Sequence, residues 1–241
     1  MFDHVTIRVA RRTESERFYD AVLQALGVQK THSSEHYTEW GSFGLAGQSD
    51  EKPVTRNLHV GFAAPSREVV DAFWRAGIEA GFRDDGAPGE RPQYSPTYYG
   101  GFLRDPDGNS AEAVHHAAVG NREEIDHLWL RVVDLDAAKL FYDRLAPYTG
   151  FELQRESQVR AQFVGAAASF SLVTGTPTQH VHVAFPANSD STVDAFHAAA
   201  LEYGFRDNGG PGERPVYHRG YYSAYVLDPD GNNVEVVNHN R

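Results

Sequence analysis

The chain repeats itself at a constant spacing of 123 residues, and that repeat restricts what it can fold into. Phe2-Asp3-His4-Val5 returns as Ile125-Asp126-His127-Leu128, and Phe18-Tyr19-Asp20 returns as Phe141-Tyr142-Asp143. Residues 81–94 return as residues 204–217 with 11 of 14 positions identical. Two copies, 1–120 and 121–241, therefore fill the 241-residue chain. Residues 117–124, polar and without periodicity, join them.

Each copy opens with a strand. Val5, Ile7 and Val9 alternate with His4, Thr6 and Arg8, so one face is apolar and the other polar. A helix follows: Thr13 and Glu16 have the spacing of a capping box, Phe18, Val22 and Leu26 form an apolar stripe, and Gly27 can end it. Residues 28–48 read as short strands broken by Gly41, Gly44 and Gly47. The plan then restarts with a strand at residues 58–62 and a helix capped by Ser66. A long Gly/Pro loop from Gly86 to Tyr94, a turn or a cap over a site, leads to a closing hairpin. Each copy thus holds two strand–helix–strands units and the chain holds four. Helices alternating with clustered strands predict an α+β fold with sheets covered on one face.

The closing hairpin turns on Asp105-Pro106-Asp107-Gly108 in the first copy and Asp228-Pro229-Asp230-Gly231 in the second. Asp at the first position, Pro at the second and Gly at the fourth suit a type I turn. The returning strand carries one carboxylate, Glu112 or Glu235, among small and apolar residues. A carboxylate buried in a sheet is costly unless it is paired or bound to metal. His4 and His59 lie upstream of Glu112, and His127 and His182 lie upstream of Glu235, again at the 123-residue offset. Their apolar neighbours point the other way, so the histidines are expected on the open face of the sheet. Two imidazoles and one carboxylate bind a divalent metal and leave positions for substrate or water.

Composition removes several alternatives. The chain has no cysteine, which excludes disulfides, thiolate metal sites and a cysteine nucleophile. A net charge of -11 without a basic patch speaks against nucleic acid. No run of 18 apolar residues and no export signal is visible, so no membrane association is expected and cytoplasm is the expected location.

The Asp3-His4-Val5 strand, the Phe18-Tyr19 helix, His59-Val60 and the run from Asp105 to Glu112, each with its second copy, resemble the vicinal oxygen chelate superfamily. That group includes glyoxalase I, fosfomycin-resistance transferases, bleomycin-resistance proteins and extradiol dioxygenases. The resemblance implies paired βαβββ units curled into cups, in two tandem glyoxalase-like domains. It also implies His4, His59, Glu112, His127, His182 and Glu235 as ligands of Fe(II) or Mn(II), with Zn(II) or Ni(II) also compatible. Glyoxalase I adds a carboxylate late in the first unit of each pair. Residues 40–47 and 162–170 offer none, so the ligand set is that of the dioxygenases or the fosfomycin transferases.

Tyr225, ten residues before Glu235, matches a tyrosine of those two groups and is the expected catalytic residue; the first copy has Phe102 there. Arg83, Arg91, Arg206 and Arg214 are candidates for gripping an anion or for surface ion pairs. Tyr98, Tyr99, Tyr221 and Tyr222 are candidates for the cup lining or the core. His115, His116 and His239 are expected to be exposed. Each copy closes its own cup, or the copies exchange units; an unbroken tandem with a short join favours exchange. The expected function is a metal-dependent lyase, dioxygenase or transferase acting on a small oxygenated substrate, as a monomer or homodimer. The alternative is a non-catalytic protein that sequesters a drug or metabolite.

Overall fold

A computed structural model describes residues 1–116 and 124–240. The join expected over 117–124 lies, except for Glu124, outside the described residues. The first unit is β1 (His4–Val9), α1 (Arg12–Ala25), β2 (His32–Ser33), β3 (Tyr37–Trp40) and β4 (Phe43–Gly47). The second is β5 (His59–Ala63), α2 (Arg67–Glu79), β6 (Arg83–Glu90), β7 (Tyr99–Arg104) and β8 (Ser110–His115). The third is β9 (Ile125–Val132), α3 (Leu135–Thr149), β10 (Glu152–Glu156), β11 (Arg160–Val164) and β12 (Ser169–Thr174). The fourth is β13 (His182–Pro186), α4 (Asp190–Glu202), β14 (Arg206–Glu213), β15 (Tyr222–Leu227) and β16 (Asn233–Asn238). All four are βαβββ units, and the fold is α+β as the alternation predicts.

The units exchange partners between copies. One eight-stranded sheet runs β14-β15-β16-β13-β1-β4-β3-β2, joining the fourth unit to the first. The other runs β10-β11-β12-β9-β5-β8-β7-β6, joining the third unit to the second. Each sheet is mixed and open. β1 pairs antiparallel with β13 at the seam, as β5 does with β9, whereas β1 with β4 and β5 with β8 are parallel.

The segments that cross between sheets meet at the centre of this pseudo-twofold arrangement. Arg56 pairs with Gln179 there. The Thr55 hydroxyl donates to the His180 carbonyl and the Thr178 hydroxyl to that of Asn57, at 2.8 and 2.9 Å. Asn57 and His180 turn these crossings in the left-handed region, at φ 59° and 60°. Asparagine and histidine tolerate that region better than most residues.

The apolar faces pack as the alternation requires. Val5, Ile7 and Val9 of β1 are fully buried beside Phe18, Val22 and Leu23 of α1. α1 packs on α2 and α3 on α4, and one continuous core spans both copies. Burial of each such side chain contributes about 1.5–3 kcal/mol. The Tyr19 hydroxyl donates to Asp105 at 3.0 Å and Tyr142 to Asp228 at 3.1 Å, which ties each first helix to the closing hairpin of its own copy. Each hairpin closes as expected, with the Gly108 amide donating to the Asp105 carbonyl and Gly231 to Asp228.

Three local expectations fail. Arg11, not Thr13, stands at the N-cap of α1 and makes no side-chain cap; Glu16 binds Arg12 and Thr38 instead. The Gly/Pro loop is largely an edge strand, β6, repeated as β14. Bulges at Asp84/Gly86 and Gly86/Gly89 absorb its glycines, and the outer edge tolerates Pro88 because no neighbouring strand needs its amide. His115, His116 and His239 are half-buried and hydrogen-bonded rather than free in solvent. The cap on α2 is as expected: Ser66 accepts from the Val69 amide. None of the described helices is long and apolar enough to cross a membrane.

Candidate metal centres

Strand exchange sorts the six candidate residues into two triads, each drawn from both copies. His4, His182 and Glu235 meet on the first sheet, and His59, Glu112 and His127 on the second. In the second, His59 Nε2 lies 3.0 Å from Glu112 Oε2 and 3.1 Å from His127 Nε2, and His127 Nε2 lies 3.3 Å from that same oxygen. In the first, His182 Nε2 lies 2.8 Å from Glu235 Oε2 and 3.0 Å from His4 Nε2, with His4 to Glu235 at 3.5 Å. Ligand atoms bound at about 2.1 Å to one ion, at right angles, stand about 3.0 Å apart, so these spacings fit a shared ion. In each triad the three ligand strands lie side by side, and the middle one carries a small residue level with the other two candidates. Gly61 pairs with both His127 and Glu112, and Ala184 with both His4 and Glu235. A Cβ on Gly61 would stand 2.2 Å from the His127 ring, so the ring would have to shift to admit one; the equivalent Ala184 carries a Cβ in the first triad.

A shell of hydrogen bonds fixes which ring nitrogens face inward. His4 Nδ1 lies 2.7 Å from Asp3 Oδ1, and His127 Nδ1 lies 3.0 Å from Asp126 Oδ1. An ionised carboxylate only accepts, so each Nδ1 carries a proton and Nε2 is the nitrogen left to give its lone pair to a metal once its own proton is displaced. His239 and His116 brace the far oxygens of Asp3 and Asp126, both at 2.8 Å. His59 Nδ1 faces Ser110 Oγ at 3.1 Å, and the Ser110 hydroxyl proton is given to Asp85. His182 Nδ1 lies 2.5 Å from the Asn233 side-chain amide. The second oxygen of each glutamate accepts from a tyrosine: Tyr98 to Glu112 at 2.7 Å, and Tyr221 to Glu235 at 2.8 Å.

The charges follow this geometry. Burial works against the Glu112 charge, but His127 and His59 outweigh it and hold the carboxyl down at about 2. Glu235 is held low in the same way by His182 and His4. Burial also opposes the charge on His127, yet Asp126 and Glu112 hold it up at about 9. His4 is raised against burial by Asp3 and Glu235. His59 and His182 are lowered, chiefly by burial. Burial and the adjoining glutamates push the phenols of Tyr98 and Tyr221 up, so both remain donors. Such donor sets, with inward-facing ring nitrogens and a braced carboxylate, fit a divalent cation.

Of the other candidates, Tyr225 pairs directly with Glu235 across β15 and β16. Its ring centroid is 6.3 Å from that of His182, and its hydroxyl bonds Ser223 Oγ at 2.8 Å. Phe102 holds the matching place, 6.1 Å from His59. Arg91 and Arg214 have no ion pair among the described residues; they lie over the rings of Phe102 and Tyr225 and donate to backbone carbonyls. Arg83 and Arg206 are exposed. Tyr99 and Tyr222 bond Asp71 and Asp194 on the helices.

Glu39 was missed in the sequence because it stands one residue before the stretch where a fourth carboxylate was sought. It pairs with Gly44 and is held by Thr31 and Tyr37, outside the converging triad. The bracing pairs Asp3/Asp126 and Tyr98/Tyr221 did carry a signal, since each recurs at the 123-residue offset beside a candidate ligand or 14 residues before one.

The family model described as Glyoxalase/Bleomycin resistance protein/Dioxygenase superfamily matches residues 1–113 and again 124–236. Among solved structures, glyoxalase I from Zea mays superposes with a TM-score of 0.71 at 20% identity, covering 99% of this chain and 92% of that one. A putative dioxygenase from Bacillus subtilis subsp. subtilis str. 168 superposes with a TM-score of 0.65 at 16% identity, covering 100% and 85%. Likeness at these identities is a likeness of fold. No curated protein matches the sequence.

Proposed function

The chain belongs to the Glyoxalase/Bleomycin resistance protein/Dioxygenase superfamily, and from that premise we propose that it is a divalent-metal-dependent enzyme acting on a small oxygenated substrate. The observation that carries this reading is the pair of buried triads whose inward atoms stand at metal-sharing distances. His4, His182 and Glu235 would hold one ion, and His59, Glu112 and His127 the other. The copies 1–120 and 121–241 are then two domains that share both centres. Two imidazoles and one carboxylate without thiolate suit Fe(II) or Mn(II), and are compatible with Zn(II) or Ni(II).

A bound ion supplies Lewis-acid polarisation of two neighbouring substrate oxygens. The remaining work falls to the chain. Tyr221 and Tyr98 keep the glutamate carboxylates turned inward. Asp3 and Asp126 fix the imidazole tautomers. Tyr225, beside Glu235, offers a phenol that can hold or give a proton to a substrate oxygen. Burial and the Glu235 charge raise that phenol, so it acts as a donor.

Elemental analysis of protein purified without air tests the reading: up to two ions per chain are expected, followed by turnover in a screen of catechols, epoxides and 2-oxoaldehydes. Full metal occupancy in the Glu112→Gln, Glu235→Gln double variant would overturn the ligand assignment. A metal-free cup that binds an aromatic ligand would favour the sequestering alternative.

A further inference from the structure

The two cups carry matching triads but different walls. A cavity of about 560 Å³ opens beside the second triad at His127, lined also by Trp129, Tyr94, Tyr98, Arg160 and Gln162. At the same offsets the first cup has Thr6 for Trp129, Tyr37 for Arg160 and Glu39 for Gln162. One cup therefore carries a cation and an indole where the other carries a phenol, a hydroxyl and, in place of an amide, an acid.

Arg160 is half-buried, with its guanidinium carbon 5.0 Å from the Trp129 ring. Trp129 in turn stands 5.4 Å from the ring of His59, so the cation and the triad touch the same indole. Nε and Nη2 of Arg160 both donate to Ser171 Oγ, at 3.1 and 2.9 Å, which aims the guanidinium and leaves Nη1 without a hydrogen bond among the described residues. No carboxylate among the described residues lies within 4.0 Å of Arg160. The acids on the cavity rim are committed elsewhere: Glu156 pairs with Lys139 at 3.0 Å, and Asp126 holds His127 and His116. Arg155, also on the rim, adds a second positive charge. A half-buried guanidinium with a spare donor edge gains most from a planar oxyanion, because its fork matches a carboxylate.

We propose that the second cup binds an aromatic carboxylate, its carboxylate group held by Arg160 and its ring lying against Trp129. This names a substrate class for the function proposed above and rests on it only in taking the second triad as the reacting end of the cup.

The test is calorimetric titration of the full-length protein with benzoate and with benzamide, a neutral molecule of the same shape. Each is run on protein as purified and after chelation, since a carboxylate can also bind a metal. Benzoate should bind about 10-fold or more tightly than benzamide in both states, the scale of a charge-assisted hydrogen bond. Arg160→Gln should bring benzoate down to the level of benzamide, and Arg160→Lys should restore part of the difference, with metal content unchanged in both. Absent benzoate binding, equal binding of the two probes, or unchanged preference in Arg160→Gln would overturn the proposal. Should Arg160→Gln fail to fold, the benzoate-to-benzamide ratio and the Arg160→Lys variant still decide. A chain free of metal that retains the Arg160-dependent preference would sink the metal-enzyme reading and leave this one standing; metal at both triads without that preference would do the reverse.

Discussion

The first and second cups are the same device on the floor and different devices on the walls. Floor positions share the 123-residue register: Asp-His on the first strand, histidine on the seam strand, a glutamate held by a tyrosine 14 residues before it. Wall positions do not. Tyr225 faces Phe102, Tyr37 faces Arg160 and Thr6 faces Trp129 across the repeat. A floor built from buried charges tolerates little change, because removing one member leaves the others uncompensated. A wall exposed to the cavity can change without that penalty, so it is where two copies of one centre can diverge toward different ligands.

Loss of a candidate ligand should break the comparison most sharply. Glu235→Gln should empty only the first cup and Glu112→Gln only the second, halving metal content in elemental analysis. The exchanged pairing adds a stricter outcome. His4→Ala combined with Glu235→Gln should lose one ion, because both act at one centre, while His4→Ala combined with Glu112→Gln should lose both. The reverse pattern would mean that each copy closes its own centre.

Next in size is the contrast between Tyr225 and Phe102. Tyr225→Phe should reduce turnover roughly 10²-fold, the usual scale of general acid–base help, with metal content unchanged. Phe102→Tyr should leave the fold intact and can raise activity at the second cup. Equal turnover in wild type and Tyr225→Phe would return Tyr225 to a packing role, which its bond to Ser223 would then explain.

A smaller effect is expected where the cups agree. Tyr221→Phe and Tyr98→Phe each remove the donor that braces a glutamate, and each should weaken metal binding at its own cup by about 10-fold or more. Metal competition titrations would read this, and equal effects at the two cups would confirm that the floors are alike.

The smallest predicted effect concerns pH in the chelated protein. His127 is held up at about 9, so its contribution to stability is complete below its unfolded value of about 6.5 and is lost as pH rises through about 9. A metal needs the free base, so its own stabilisation grows over that window. The gap in Tm between loaded and chelated protein should therefore widen by a few degrees from the lower to the upper end of it. A constant gap would mean that no triad proton is displaced by the metal over this window, and that His127 is not held up.

Much of this was legible in the chain before any coordinates. The constant offset marked two copies and six candidate ligands, and the restart of the strand–helix plan inside each copy marked four units, because duplication preserves spacing and a buried carboxylate needs partners wherever it lies. Strand alternation alone set His4 and His127 on the face opposite Val5 and Leu128. Edge behaviour was less legible: Gly86 and Pro88 read as a loop, but an outer strand needs only one hydrogen-bonded side and can hold them. The bracing roles of His116 and His239 depend on which strands become neighbours.

That neighbour choice is what only the tertiary structure decided. The sequence was compatible with each copy closing its own cup or with units exchanged between copies, because every unit presents the same apolar face and the same strand edge. Packing α1 on α2 and α3 on α4, with the linkers crossing at Asn57 and His180, sends the two units of each copy into different sheets. Both candidate centres therefore draw ligands from both copies: His59 and Glu112, 53 residues apart, meet at 3.0 Å, and His4 and His182, 178 residues apart, become neighbours at 3.0 Å.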